Sequence, residues 1–201
     1  MNIFFDLDGT LWDSSIRLYS LFCDLAGDIS ISYDDYWNKK RFKISNEQIL
    51  ESFGYDDEQI KSFVSKWMLL IEDAKYLNLD TLFPFTKIVL NFFNEKGCSI
   101  YYVTLRQSAA RALQEIKDKG IEGFCTRCLV SEAKITKEQL VRDAGIHLTA
   151  DDMFVGDTGI DVMTGKSLGM KSVAVLSGFR NKAILETYKP DIIINNISEL
   201  L

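Results

Sequence analysis

Two aspartates separated by one residue follow the first apolar run of the chain, in the sequence MNIFFDLDGT. Asp6 and Asp8 carry like charges at close range, and such a pair needs water or a cation between its members. Asp157 and Asp161 stand four residues apart in the later segment VGDTGID. Carboxylate oxygens are ligands that suit Mg²⁺. These acids predict a Mg²⁺ site if the fold brings them together.

A hydroxyl and an ammonium complete the set of candidate residues. Thr104 ends the run SIYYVT, and Lys134 follows the run RCLV within SEAKITKEQ. These two groups suit a phosphoryl group better than a neutral substrate. A carboxylate can attack phosphorus once its charge is offset, and a second carboxyl nearby can move protons for the leaving oxygen and for water. One of the paired acids, Asp6 and Asp8, would then attack while the other moves protons.

Six runs of the chain have the length and composition of buried strands. They lie at residues 2–7, 99–104, 127–130, 152–155, 171–176 and 191–195, and the candidate residues lie in or after the first four. Helical patterns alternate with them, which predicts an α/β fold: a Rossmann-like parallel sheet with helices on both faces. Ligands of such sheets bind at the carboxyl ends of the strands, where the candidate residues fall.

Residues 14–80 interrupt this alternation with helical spacing and no clear strand. We expect a small all-helical cap domain over 14–80, inserted after the first strand, and a core domain made of 1–13 and 81–201. The cap contains a basic segment, KKRFK, in which Arg41 or Lys43 could bind an anionic substrate, or the segment could be a solvated face. Arg106, two residues beyond Thr104, is a similar candidate for substrate binding, with a structural salt bridge as the alternative.

The segments DLDGTLWDS, YYVTLR, KITK and GDTGID, in this order over residues 3–176, resemble the four motifs of the haloacid dehalogenase superfamily. The helical cap resembles that of the phosphoglycolate phosphatase-like branch. The resemblance implies that Asp6 is the nucleophile and Asp8 the acid/base. It also implies that Thr104 and Lys134 hold the phosphate.

The same resemblance implies that Mg²⁺ is bound by Asp6, Asp157 and the carbonyl of Asp8, with Asp161 supporting these ligands. Members of the family often have Lys-Pro at the third motif, whereas this chain has Lys134-Ile135, with Lys137 as a rival. We prefer Lys134, because Lys137 falls inside the first turn of the predicted helix. The dehalogenases usually lack the second acid of the first motif, so its presence here favours phosphate chemistry.

These features predict a Mg²⁺-dependent phosphatase that acts on a small phosphorylated metabolite through an aspartyl-phosphate. A phosphomutase of the beta-phosphoglucomutase type and a non-catalytic phospholigand-binding protein are the alternatives. The 201 residues carry a formal charge of −6, which argues against binding to nucleic acid. With no run long enough for a membrane span and no signal-peptide pattern, we expect a cytoplasmic protein. Cys125 and Cys128 form a C-x-x-C without a second pair, so we expect ordinary strand cysteines.

Overall fold

The structure is a computed structural model that describes residues 1–27 and 29–201. Its strands are β1 (Asn2–Phe5), β2 (Trp12–Asp13), β3 (Thr81–Leu82), β4 (Ser99–Thr104), β5 (Arg127–Val130), β6 (Met153–Gly156), β7 (Lys171–Val175) and β8 (Ile192–Ile194). Six of them pair in parallel in the order β5-β4-β1-β6-β7-β8. The predicted parallel α/β sheet is confirmed, and all six strands lie at the predicted apolar runs.

The described part of the chain contains ten α-helices. They are α1 (Ser15–Ala26), α2 (Tyr33–Arg41), α3 (Asn46–Ser52), α4 (Asp57–Leu70), α5 (Ala74–Leu77), α6 (Thr86–Glu95), α7 (Ala109–Asp118), α8 (Lys137–Asp143), α9 (Gly159–Ser167) and α10 (Lys182–Glu186). None of these helices has both the length and the apolar character that crossing a membrane requires.

Both faces of the sheet are covered, because successive side chains of a strand point to opposite faces. Ile3 and Phe5 of β1 pack in a core that includes Val89 and Leu90 of α6. Phe4, between them, belongs to a separate core cluster with residues of β4, β5, β6 and α8. This arrangement explains why the three residues after Asn2 in β1 are all apolar, as expected for a strand that is covered on both faces.

Helices α1 to α5 form an insertion between β2 and β3 with a hydrophobic cluster of its own. That cluster includes Leu18 and Phe22 of α1, Tyr36 of α2, Ile49 and Leu50 of α3 and Phe63 of α4. The two connections to the core lie side by side, since β2 and β3 pair antiparallel with Trp12 opposite Leu82. The bounds predicted for the cap, 14–80, fall at these two strands, and the division of the chain into two domains stays a prediction.

Candidate active site

The carboxyl ends of the three neighbouring strands β4, β1 and β6 bring the first set of candidate residues together. Asp6 directly follows β1, Thr104 is the last residue of β4, and Asp157 directly follows β6. All three side chains are buried. Parallel pairing fixes this convergence, because each of these strands ends at the same edge of the sheet.

Three carboxylates at this edge could hold a divalent cation. One oxygen each from Asp6, Asp157 and Asp161 lies within 4.8 Å of the other two. Asp157 accepts a hydrogen bond from the backbone N–H of Phe179 through Oδ2, at 2.5 Å. Its Oδ1 is buried and has no hydrogen-bond partner within residues 1–27 and 29–201. A buried oxygen left free in a group of carboxylates fits a Mg²⁺ ligand, because such an oxygen otherwise needs a donor.

Glycines make room for the Asp157 carboxylate. A Cβ added at Gly178 would lie 2.0 Å from Asp157 Oδ2, and one added at Gly9 would lie 2.4 Å from the same atom. Both distances are far below van der Waals contact, so a side chain at either position would displace the carboxylate. Gly9 also has a positive φ of 80°, which glycine adopts without strain.

Lys137 places its ammonium between two of the acids. Its Nζ lies 2.5 Å from Asp6 Oδ1 and 2.6 Å from Asp161 Oδ1, and the side chain is buried. Burial alone would lower the pKa of Lys137, but the two carboxylates outweigh it and raise that pKa above its usual value. Burial raises the pKa of Asp6 to about 7, helped by Asp161 and opposed by Lys137. A bound cation would lower the pKa of Asp6 again.

Lys134, the lysine that we preferred from the sequence, does not reach this group. Its side chain is 73% exposed and pairs with Glu132 Oε2 at 3.0 Å. Glu132 and Ala133 adopt positive φ values of 49° and 57°, and the loop that they form leaves Lys134 outside the site. Lys137 is the first residue of α8, and side chains at a helix start lean back toward the N-terminus. The lysine of the site is therefore Lys137, which corrects the prediction.

Asp8 is held by two guanidinium groups. Its Oδ1 accepts from Arg17 Nη2 at 2.5 Å and from Arg106 Nη2 at 2.7 Å, and its Oδ2 accepts from Arg106 Nε at 2.7 Å. The Ser14 hydroxyl and the Trp12 indole also donate to Oδ1. Burial would raise the pKa of Asp8, but the two arginines and Ser14 hold it well below its usual value. Asp8 is thus an ionised carboxylate in this arrangement.

The same arginines continue into a buried ion-pair cluster. Arg17 Nε lies 3.1 Å from Asp80 Oδ1, and Arg106 Nη2 lies 3.1 Å both from Asp80 Oδ2 and from Glu115 Oε2. Burial raises the pKa of Asp80 to about 8, against the two arginines. For Arg106 the structure therefore shows the salt bridge that was the alternative to substrate binding. Arg41, the other predicted substrate ligand, donates to the Leu176 carbonyl at 3.1 Å and does not line the cavity at Asp6.

Sequence reasoning missed two contacts between the insertion and the core. Arg17 of α1 was not considered, and neither was Glu72, which follows α4. Glu72 accepts the backbone N–H of Gln107 at 2.5 Å and that of Ser108 at 3.0 Å, both just before α7. The sequence contains no comparable sign of Arg17 or Glu72, but it does contain one for Lys137. A cation in the first turn of a helix is opposed by the helix dipole, so its presence there indicates another role.

Comparisons with known proteins match this chain along most of its length. The family described as haloacid dehalogenase-like hydrolase matches residues 1–169. Pyrophosphatase PpaX from Bacillus cereus (strain G9842) is 26% identical over 207 residues, which cover 99% of this chain and 94% of the relative.

Two solved structures are similar to this chain over nearly its whole length, including the helical insertion. A haloacid dehalogenase-like family hydrolase from Streptococcus pneumoniae has a TM-score of 0.80 at 25% identity, covering 99% of this chain and 95% of its own. A structure described as a predicted phosphoglycolate phosphatase from Haemophilus somnus has a TM-score of 0.75 at 19% identity, with coverage of 99% and 95%.

Proposed function

Because this chain belongs to the haloacid dehalogenase-like hydrolase family, we propose that it is a Mg²⁺-dependent phosphatase of a small phosphorylated metabolite. The observation that carries the proposal is the environment of Asp6. This buried carboxylate forms an ion pair with the Lys137 ammonium and lies next to two further carboxylates. Two of the similar proteins, a pyrophosphatase and a predicted phosphoglycolate phosphatase, are named for phosphate chemistry, which supports the proposal.

Asp6 and Asp157 are the residues that would hold Mg²⁺, together with the carbonyl of Asp8. When bound, the cation offsets the negative charge that a phosphate group brings to these carboxylates. Asp161 positions other residues of the site. Its Oδ1 accepts a hydrogen bond from Lys137, and its Oδ2 accepts hydrogen bonds from the backbone N–H and the hydroxyl of Thr158. These contacts fix both the ammonium and the start of α9.

In the first step, a carboxylate oxygen of Asp6 attacks phosphorus, and the bond from phosphorus to the leaving oxygen breaks. Lys137 and the Thr104 hydroxyl bind oxygens of the transferred group, the role that the sequence had assigned to Lys134 and Thr104. Asp8 gives its proton to the leaving oxygen. Since Arg17 and Arg106 hold Asp8 ionised, it can carry that proton only after these two contacts loosen.

In the second step, water attacks the phosphorus of the phosphorylated Asp6, and the bond between phosphorus and the Asp6 oxygen breaks. Asp8 accepts a proton from this water, which an ionised carboxylate can do at once. The arrangement of Asp8 in the structure therefore matches the protonation state that this second step requires. Inorganic phosphate and free Asp6 are the products.

Replacement of Asp6 tests the proposal most directly. In Asp6→Asn the attacking oxygen is lost, so phosphate release in the presence of Mg²⁺ should fall by roughly 10³-fold or more. The measurement is phosphate release from a panel of phosphorylated small molecules, with Mg²⁺ and after chelation.

Asp34→Asn, on the exposed start of α2, is the matched control and should behave as the wild type. Full release by Asp6→Asn, or equal release without Mg²⁺, would contradict the proposal. Turnover that requires a bisphosphate activator would instead identify a phosphomutase.

A further inference from the structure

A cavity of about 320 Å³ lies between the sheet edge and the helical insertion, with Asp6 and Thr104 on one side. We infer that the part of the substrate directly attached to the transferred phosphate is an apolar group, such as an alkyl or aryl group, and not a second phosphate or a carboxylate. This inference rests on the proposed phosphatase function, because it concerns the leaving group of that reaction.

The wall of the cavity away from Asp6 is largely apolar. The insertion contributes three side chains from the end of α4 and just after it, and the core contributes three: two from the loops after β4 and β7 and one from the start of α9. These residues are Trp67, Met68, Ile71, Leu105, Ile160 and Phe179. Met68 is 49% exposed and Ile160 is 52% exposed, so these apolar surfaces are open to contact with a ligand.

Every cationic side chain that lines the cavity is already paired with carboxylates. Lys137 binds Asp6 and Asp161. Arg17 and Arg106 share Asp8, and both also pair with Asp80, so they keep a carboxylate partner when the contacts with Asp8 loosen. A second anionic group on the substrate would lose water at this wall without gaining a free cation, and burial of an uncompensated charge is strongly unfavourable.

An acidic side chain also lines the cavity, and it further disfavours a second anionic group on the substrate. Glu72 lines the same cavity and presents a carboxylate to the backbone N–H groups of Gln107 and Ser108. An anion next to the phosphate would meet this negative charge. An apolar leaving group avoids the repulsion and buries its surface against Trp67 and Met68.

Two further cations lie in a separate cavity of about 400 Å³ on the far side of this wall. Lys40 and Arg180 line that second cavity, while Trp67, Met68 and Phe179 line both. Neither cation therefore lines the cavity at Asp6, where the three shared side chains present apolar surface instead. Arg180 Nη1 already donates to the Lys40 carbonyl at 2.7 Å and to the Phe179 carbonyl at 2.9 Å.

The test first compares two substrates whose leaving oxygens have similar reactivity. Benzyl phosphate and phosphoglycolate are both primary alkyl esters, one with an apolar leaving group and one with a carboxylate. Pyrophosphate, whose phosphate leaving group is intrinsically more reactive, is the third substrate. With Mg²⁺ present, we expect kcat/KM for benzyl phosphate to exceed that for each of the other two by roughly tenfold or more. A preference for phosphoglycolate or for pyrophosphate would overturn the inference.

Met68→Lys places a cation in the apolar wall and should reduce the ratio of benzyl phosphate to phosphoglycolate activity by roughly tenfold. Leu69→Lys is the matched control, because Leu69 is the next residue of α4, is 76% exposed and does not line the cavity. This variant should leave the ratio as in the wild type. An unchanged ratio in Met68→Lys would also overturn the inference.

Binding of non-hydrolysable analogues separates this inference from the proposed function. Benzylphosphonate should bind the wild-type protein with Mg²⁺ roughly tenfold more tightly than phosphonoacetate, measured by calorimetry. If no substrate is hydrolysed but this order of affinities holds, the phosphatase proposal fails and the apolar selection stands. If hydrolysis depends on Asp6 but phosphonoacetate binds more tightly, the phosphatase proposal stands and the apolar selection fails.

Discussion

At the scale of single residues, the position of the site lysine depends on where one helix begins. The aspartates could be predicted from the sequence because each stands at or just after the end of an apolar run, and strand ends meet at one edge. The lysine was assigned wrongly, because Lys134 and Lys137 are three residues apart in a loop and helix start, and the place of Lys137 in the first turn was taken as evidence against it. Two residues with positive φ, Glu132 and Ala133, decide the outcome, and neither is a glycine whose presence would have revealed the turn.

Substitution of the two lysines distinguishes them. Lys137→Gln should lower phosphate release by roughly 10²-fold or more, because it removes a charge that acts on Asp6 and on the phosphate together. Lys134→Gln is the matched control and should stay within about twofold of the wild type, as expected for an exposed residue. The measurement is kcat with saturating substrate and Mg²⁺. A larger loss in Lys134→Gln than in Lys137→Gln would contradict the assignment.

At the scale of secondary-structure elements, the sequence was informative wherever a run was long and apolar. The four inner strands β4, β1, β6 and β7 are buried over most of their length, so most of their positions are apolar and the runs stand out. Strands β2 and β3 were missed because two residues cannot show an alternating pattern. The contacts of loops were also missed, among them the loop with Gly178, which packs against Asp157.

The Gly178 loop provides a test of how that packing positions the carboxylate. Gly178→Ala puts a Cβ where Asp157 Oδ2 lies, so the carboxylate must move away from Asp6 and Asp161. We expect the affinity for Mg²⁺ to fall by roughly 10-fold to 100-fold, the usual effect of disturbing the support of a metal ligand.

The measurement for this variant is a Mg²⁺ titration by calorimetry. Gly123→Ala is the matched control, because a Cβ there meets no atom within 4 Å. Equal affinities in the two variants would show that Asp157 is not a metal ligand.

At the scale of the whole molecule, the insertion and the core are joined by contacts that local sequence patterns do not reveal. Arg17 and Glu72 belong to the insertion, while their partners Asp8, Gln107 and Ser108 belong to the core. Glu72 is more than 30 residues from its partners, while Arg17 is only nine residues from Asp8, yet a charged residue in a helical pattern is equally consistent with a solvated surface. Arg41 was singled out from the sequence because it lies in a basic cluster, whereas Arg17 has no basic neighbour in its segment.

Removal of the Glu72 carboxylate should loosen the insertion from the core. In Glu72→Ala the N–H groups of Gln107 and Ser108 lose charge-assisted hydrogen bonds, so their hydrogen exchange should accelerate by roughly tenfold or more. Hydrogen–deuterium exchange at these two amides is the measurement. Glu51→Ala, at an exposed position of α3, should leave their exchange as in the wild type. Unchanged exchange in Glu72→Ala would show that this contact does not hold the two parts together.

The pairing of β2 with β3 means that the helical insertion leaves and rejoins the core at neighbouring positions. Paired strands lie about 5 Å apart, so a different segment with equally close ends would fit the same opening without altering distances in the sheet. We therefore expect the insertion to be exchangeable for another segment with equally close ends. Transplanting another helical segment between Asp13 and Thr81 should carry over a new selection of substrates, while Asp6, Lys137 and Asp157 keep their places at the sheet edge.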